Sequence, residues 1–72
     1  MMAYFALRPE GYAALKELVG SDRKIAKRLG VDPSTLYRVI HGQTEVTARL
    51  IAGAVTALGP SWLNILFEAV AE

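Results

Sequence analysis

The segment Ser21-Asp22-Arg23-Lys24-Ile25-Ala26-Lys27-Arg28-Leu29-Gly30-Val31-Asp32-Pro33-Ser34-Thr35-Leu36-Tyr37-Arg38-Val39-Ile40-His41-Gly42 carries the start and stop signals of two short helices and the turn between them. Ser21 and Asp22 both offer an oxygen to cap a helix that runs to Leu29, where Gly30 stops it. Asp32 followed by Pro33 is a second start signal, a capping carboxylate before a proline at the first helical position, and the helix over 33–41 ends before Gly42. On a 100° wheel Ile25, Ala26 and Leu29 share one arc of the first helix, opposite Arg23, Lys24, Lys27 and Arg28. Leu36, Val39 and Ile40 form the inner face of the second, opposite a polar stripe of Ser34, Tyr37, Arg38 and His41.

Only Gly30 and Val31 separate these helices, too little chain for them to run antiparallel side by side. They must cross steeply, which is the helix-turn-helix arrangement. Its physical needs are met at consistent spacing: Ala26 is small enough for close approach and Gly30 can turn left-handed. Ile25, Leu29, Val31, Leu36 and Val39 hold the pair together.

Working outward, Pro9, Glu10 and Gly20 bound a helix over 9–19, with Ala14, Leu15, Leu18 and Val19 on one face. Residues 43–46 read as a loop. A helix from about Thr47 to Leu58 is almost wholly apolar or small, with Leu50, Ile51, Ala54, Val55 and Leu58 inward, and Gly59-Pro60 ends it. A fifth helix is expected from Pro60 or Ser61 to Val70. Tyr4 to Leu7 read as a short β segment or as an arm laid over the core. The expected architecture is all-α, one compact five-helix domain over 1–72 with its motif at 21–42.

Seventy-two residues with 53% hydrophobic and 21% charged content make one folded domain, and a net charge of +1 excludes a polybasic or acidic disordered chain. There is no cysteine and a single histidine, so disulfides and thiolate zinc sites are excluded, and no metal or cofactor is expected. Charge is nevertheless uneven. Residues 21–49 hold six basic and three acidic side chains, whereas 50–72 hold only Glu68 and Glu72. The cationic surface therefore gathers around the motif, as binding to a phosphate backbone requires. The richest apolar run, Trp62 to Phe67, contains Asn64 and falls far short of the ~20 residues of a membrane span. No export signal is read at Met1 to Leu7, and a cytoplasmic location is expected.

The segment from Asp22 to Gly42 resembles the core of the Cro and lambda-repressor-like (XRE) helix-turn-helix family, in which a helix ending in Leu-Gly-Val precedes a recognition helix containing Ser-Thr and a closing glycine. The chain departs from the family at Asp22, where a glutamine commonly contacts a phosphate, and at Pro33, a position that can reach a base. The resemblance implies double-stranded DNA as the ligand, with helix 33–41 in the major groove and the preceding helix across the backbone. Ser34, Thr35, Tyr37 and Arg38 are then the base-contact candidates, and Arg38 can donate two hydrogen bonds to guanine O6 and N7. Arg23, Lys24, Lys27, His41, Gln43, Thr44 and Arg49 are the phosphate-contact candidates.

As a helix, the C-terminal segment would spread its apolar side chains over about 200°, wider than the ~100° stripe that covers one core. Either the N-terminal arm or a second copy should cover the excess. A homodimer through Trp62, Ile65, Leu66, Phe67 and Val70 would read an inverted-repeat operator with half-sites ~34 Å apart. The expected function is a sequence-specific transcriptional regulator, a repressor of phage or mobile-element type, with no small-molecule ligand. The alternatives are an antitoxin-like adaptor that binds protein through the C-terminal helix, and a DNA-binding accessory factor in recombination. Catalysis is not expected, since His41 lies on the DNA stripe and no carboxylate pair has a supporting group nearby.

Overall fold

A computed structural model describes residues 3–71, so Met1 and Met2 of the N-terminal arm lie outside the described residues. Strand β1 (Ala3–Leu7) leads into α1 (Pro9–Val19), α2 (Asp22–Leu29), α3 (Pro33–Ile40) and α4 (Ala48–Leu58). A 3-10 turn (Pro60–Trp62), the one-turn helix α5 (Leu63–Leu66) and strand β2 (Phe67–Ala71) complete the chain. The fold is thus mostly helical, with five α-helices and a two-stranded antiparallel sheet made by the two ends of the chain.

The sheet corrects the all-α expectation, and its register pairs Ala3 with Ala71, Phe5 with Ala69 and Leu7 with Phe67. The fifth helix stops at Leu66 rather than Val70, and Phe67 is already extended, at φ −124° and ψ 149°. The reason is a competing partner. Tyr4–Leu7 is rich in aromatic and apolar residues suited to a pleated surface, and it offers Phe67–Ala71 a backbone ladder. The bond from the Arg8 amide to the Leu66 carbonyl (2.7 Å) carries that ladder one pair further. The 200° apolar arc therefore never forms. Leu66 and Phe67 are 1% and 6% exposed and belong to the core, so neither can face a second copy.

That core consists of Tyr12, Leu15, Ile25, Ala26, Leu29, Leu36, Val39, Leu50, Ala54, Leu66 and Phe67. All the inward residues expected for α2 and α3 are in it or packed against it. In α1 the inward face is rotated: Tyr12 and Leu15 are buried and Val19 packs against them, while Ala14 is exposed and Leu18 is 72% exposed. Gly11 sets this rotation, because its Cα lies against the Ile65 carbonyl; a Cβ there would sit 1.8 Å from the carbonyl oxygen. A second such contact locks α4 to α2: a Cβ on Gly53 would sit 1.9 Å from the Leu29 carbonyl oxygen.

Both helices of the central pair end in the same way. Gly30 (φ 73°) sends its amide to Lys27 O and Val31 sends its own to Ala26 O; Gly42 (φ 70°) bonds Val39 O and Gln43 bonds Arg38 O. These paired bonds are Schellman closures, which need a left-handed residue that glycine adopts without a Cβ penalty. The starts are capped by side chains, Ser21 Oγ accepting from the Lys24 amide and Asp32 from the Ser34 amide. The α2–turn–α3 unit is thus fixed by short-range chemistry at each of its ends.

Candidate nucleic-acid interface

The α3 stripe is presented to solvent as a continuous strip, since Ser34, Tyr37, Arg38 and His41 are all exposed while Leu36 and Val39 anchor the helix beneath. Its side chains are partly ordered by one another. Tyr37 and His41 stack with ring centroids 3.9 Å apart, and His41 Nδ1 lies 2.8 Å from the Tyr37 carbonyl oxygen. A carbonyl can only accept, so Nδ1 donates, and the neutral ring is left with an accepting Nε2. Only the imidazolium form of His41 can therefore donate to a phosphate through Nε2.

Arg38 Nε reaches the Ser34 carbonyl at 3.4 Å, one helical turn back, which leaves its two terminal amino groups free for a planar acceptor pair. The Ser34 hydroxyl donates to Asp32, so its oxygen remains an acceptor only. This favours donors such as adenine N6 or cytosine N4. Asp32 is held below the ordinary carboxylate range by the Ser34 hydroxyl first and the Ser34 amide second, and remains charged beside the stripe. Thr35 differs from its expected placement, being half-buried and turned from the strip toward the α4 start. There it shares a shallow groove with Gly30, Val31, Thr47 and Arg49.

The cations gather in two places. Lys24, Lys27 and Arg28 surround Val19 on the α1–α2 surface, and Arg28 also shares a groove with Arg49 beside the Gly30 turn. Arg49 thereby stands next to the N-terminal end of α3, and Arg28, absent from the sequence-derived set, stands with it. Arg23 is exposed on the first turn of α2. Gln43 and Thr44 are exposed on the loop after α3, where they border a groove along β1.

Asp22 has a role that its sequence position conceals. The Tyr12 hydroxyl donates to Asp22 Oδ1 at 2.6 Å, and Lys16 Nζ lies 3.5 Å from the same oxygen. Asp22 thus ties α1 to the first turn of α2 in place of a phosphate contact. The signal was legible only after folding, since Tyr12 is ten residues away and reads as core. No known protein family, characterised protein or solved structure matches this chain. Among the described residues no group of acidic, histidine or cysteine side chains could hold a metal ion, and no helix is long and apolar enough to cross a membrane.

The Tyr12–Asp22 bond sets a pH response. It is the largest cause holding the Asp22 carboxyl below its ordinary value, with Lys16 and His41 adding to the effect. Burial first and Asp22 second push the Tyr12 hydroxyl well above its ordinary range. A depressed carboxyl contributes stability above its unfolded value and loses it as pH falls through its folded one. A raised phenol contributes below its unfolded value and loses it as pH rises past that value. Tyr12→Phe should therefore flatten both limbs. In melting temperatures followed from neutral pH into acid below 4 and into base above ~10, wild type should fall more steeply than the variant at each end. Parallel curves would remove the bond from the account.

Proposed function

We propose that this protein is a sequence-specific double-stranded DNA-binding transcriptional regulator of repressor type, with α3 lying in the major groove and α2 across the backbone. The observation that carries the reading is the exposed strip Ser34–Tyr37–Arg38–His41 on a helix whose other face is wholly committed to the core. A solvated face would not need to be built so rigidly. Two Schellman closures, two side-chain caps and the Gly53 contact hold a unit of two short helices in one geometry, as reading base edges demands.

Arg38 reads a guanine, Ser34 accepts from a base, and Tyr37 packs at the groove wall. Arg23, Lys24, Lys27 and Arg49 neutralise phosphates, joined by His41 when protonated and by Arg28 beside Arg49. The antitoxin-like reading has less to stand on, because the apolar helix it requires is four residues long and ends in the core.

Electrostatic contacts of this kind have a measurable signature. Each neutralised phosphate contributes about 0.9 to the slope of log affinity against log salt. Arg23→Ala should lower that slope by about one for cognate and scrambled duplexes alike, leaving their affinity ratio unchanged. Fluorescence anisotropy titrations across a salt series read this directly. An unaltered slope would place Arg23 on a merely solvated face.

A further inference from the structure

His41 stands where the end of α3 meets the start of α2. It caps α3 (φ −90°, ψ 9°), stacks on Tyr37 and sends Nδ1 to the Tyr37 carbonyl, so the place and orientation of its ring are fixed. From α2 it faces Asp22, whose carboxyl is held below its ordinary range by the Tyr12 hydroxyl first and then by Lys16 and His41. Tyr12 and Lys16 of α1 keep that carboxylate in position. The other charged or titratable groups beside the ring, Tyr37 and Arg38, belong to α3 itself, while Glu45 of the following loop borders the groove along β1.

We propose that His41 makes DNA binding proton-dependent: the neutral ring turns a phosphate away from this corner of the interface and the imidazolium holds one, so the protein binds DNA more tightly as pH falls from about 8 to about 6. The inference rests on the DNA-binding reading and adds a regulation to it.

The reason is the supply of donors. A neutral imidazole has one N–H, and here the Tyr37 carbonyl takes it, which leaves Nε2 with a lone pair and no hydrogen. A phosphate oxygen offers only lone pairs in return, and the Asp22 carboxylate nearby adds a like charge, so both groups repel it. Protonation reverses both effects, because Nε2 becomes a charge-assisted donor and the imidazolium offsets Asp22. The last carbonyls of α3 carry partial negative charge, which the imidazolium also offsets. A histidine free to choose its tautomer would lose less on deprotonation, since its neutral ring could still donate through Nε2. This one is committed. The chain has a single histidine, so the response is confined to one side chain of the kind that changes charge in this range.

The test compares wild type, His41→Gln and His41→Arg by fluorescence anisotropy. The probes are a duplex enriched from a random pool and a scrambled duplex, each titrated near pH 6 and near pH 8 over a salt series. His41 is exposed, so neither substitution disturbs the core. Wild type should bind both duplexes about three- to tenfold more tightly at the lower pH, with a log-affinity against log-salt slope steeper there by about 0.9. His41→Gln, whose amide is neutral throughout, should show neither change. His41→Arg should bind at the higher pH as wild type does at the lower. The α-amino group also titrates in this range, and it is the same in all three proteins. Without DNA, imidazole 15N shifts at the higher pH should place the ring hydrogen of wild type on Nδ1. A His41→Gln variant that keeps the pH dependence of wild type would overturn the proposal, and so would a neutral ring with its hydrogen on Nε2. Equal affinity for the two duplexes with the pH difference intact would support the proposal and remove only the sequence specificity. A protein that bound neither duplex at either pH would overturn both readings.

Discussion

Gly53→Ala should lower the melting temperature by about 12 to 24 °C, although the same substitution in an ordinary helix would be stabilising by about 1 kcal/mol. The added Cβ would lie 1.9 Å from the Leu29 carbonyl oxygen and 2.9 Å from its carbon, both backbone atoms. That carbonyl cannot withdraw freely, because Gly30 and Val31 immediately beyond it close the end of α2 through their amides. Relief must come from α4 moving away, opening the contacts of the buried Leu50 and Ala54. Overpacking of this kind costs about 3 kcal/mol at the upper end of its usual range, against a total of about 4 to 11 kcal/mol for a domain of this size. Thermal melts by circular dichroism would show it. A variant as stable as wild type would mean that α4 is free to retreat and that α2 and α3 are not held by it.

Arg38→Ala should weaken binding to the cognate site by about 1 to 3 kcal/mol, on the order of five- to 150-fold, while scrambled DNA loses far less. Arg38 is exposed, with its Nε on the Ser34 carbonyl and its charge near Asp32. Alanine favours the helix and buries nothing, so the folded state is undisturbed and the loss reads recognition alone. Competition titrations with cognate and scrambled duplexes separate the two outcomes. An equal loss on both would turn Arg38 into a phosphate contact and leave the strip without its main reader.

Much of this molecule was legible because its instructions are local. Ser21, Gly30, Asp32-Pro33 and Gly42 act within four residues of where they stand; α2 begins and ends where these residues place it, and α3 begins at Pro33 as expected but ends at Ile40, with His41 as its C-cap. The burial of Ile25, Leu29, Leu36 and Val39 follows from helical period in the same way. What escaped depends on distant partners. Phe67–Ala71 reads as helix by period, yet Ala3–Leu7, some sixty residues earlier, draws it into a strand. The rotation of α1 that exposes Leu18 depends on Gly11 meeting Ile65, and the commitment of Asp22 depends on Tyr12. Gly53 was the one readable clue among these, since a glycine within an apolar helix often marks close approach by another backbone. For the strip on α3, the wheel found Ser34, Tyr37, Arg38 and His41, but it could not see Thr35 turned toward Arg49.

Selection of bound duplexes from a random DNA pool, run in parallel with wild type and Arg38→Ala, tests the central claim most directly. The account predicts that wild type enriches one short sequence in two inverted copies about one helical turn apart. It also predicts that Arg38→Ala loses preference at a single guanine in each copy while the rest of the site survives. A wild-type pool no more ordered after repeated rounds than at the start would contradict it, as would enrichment that Arg38→Ala leaves unchanged.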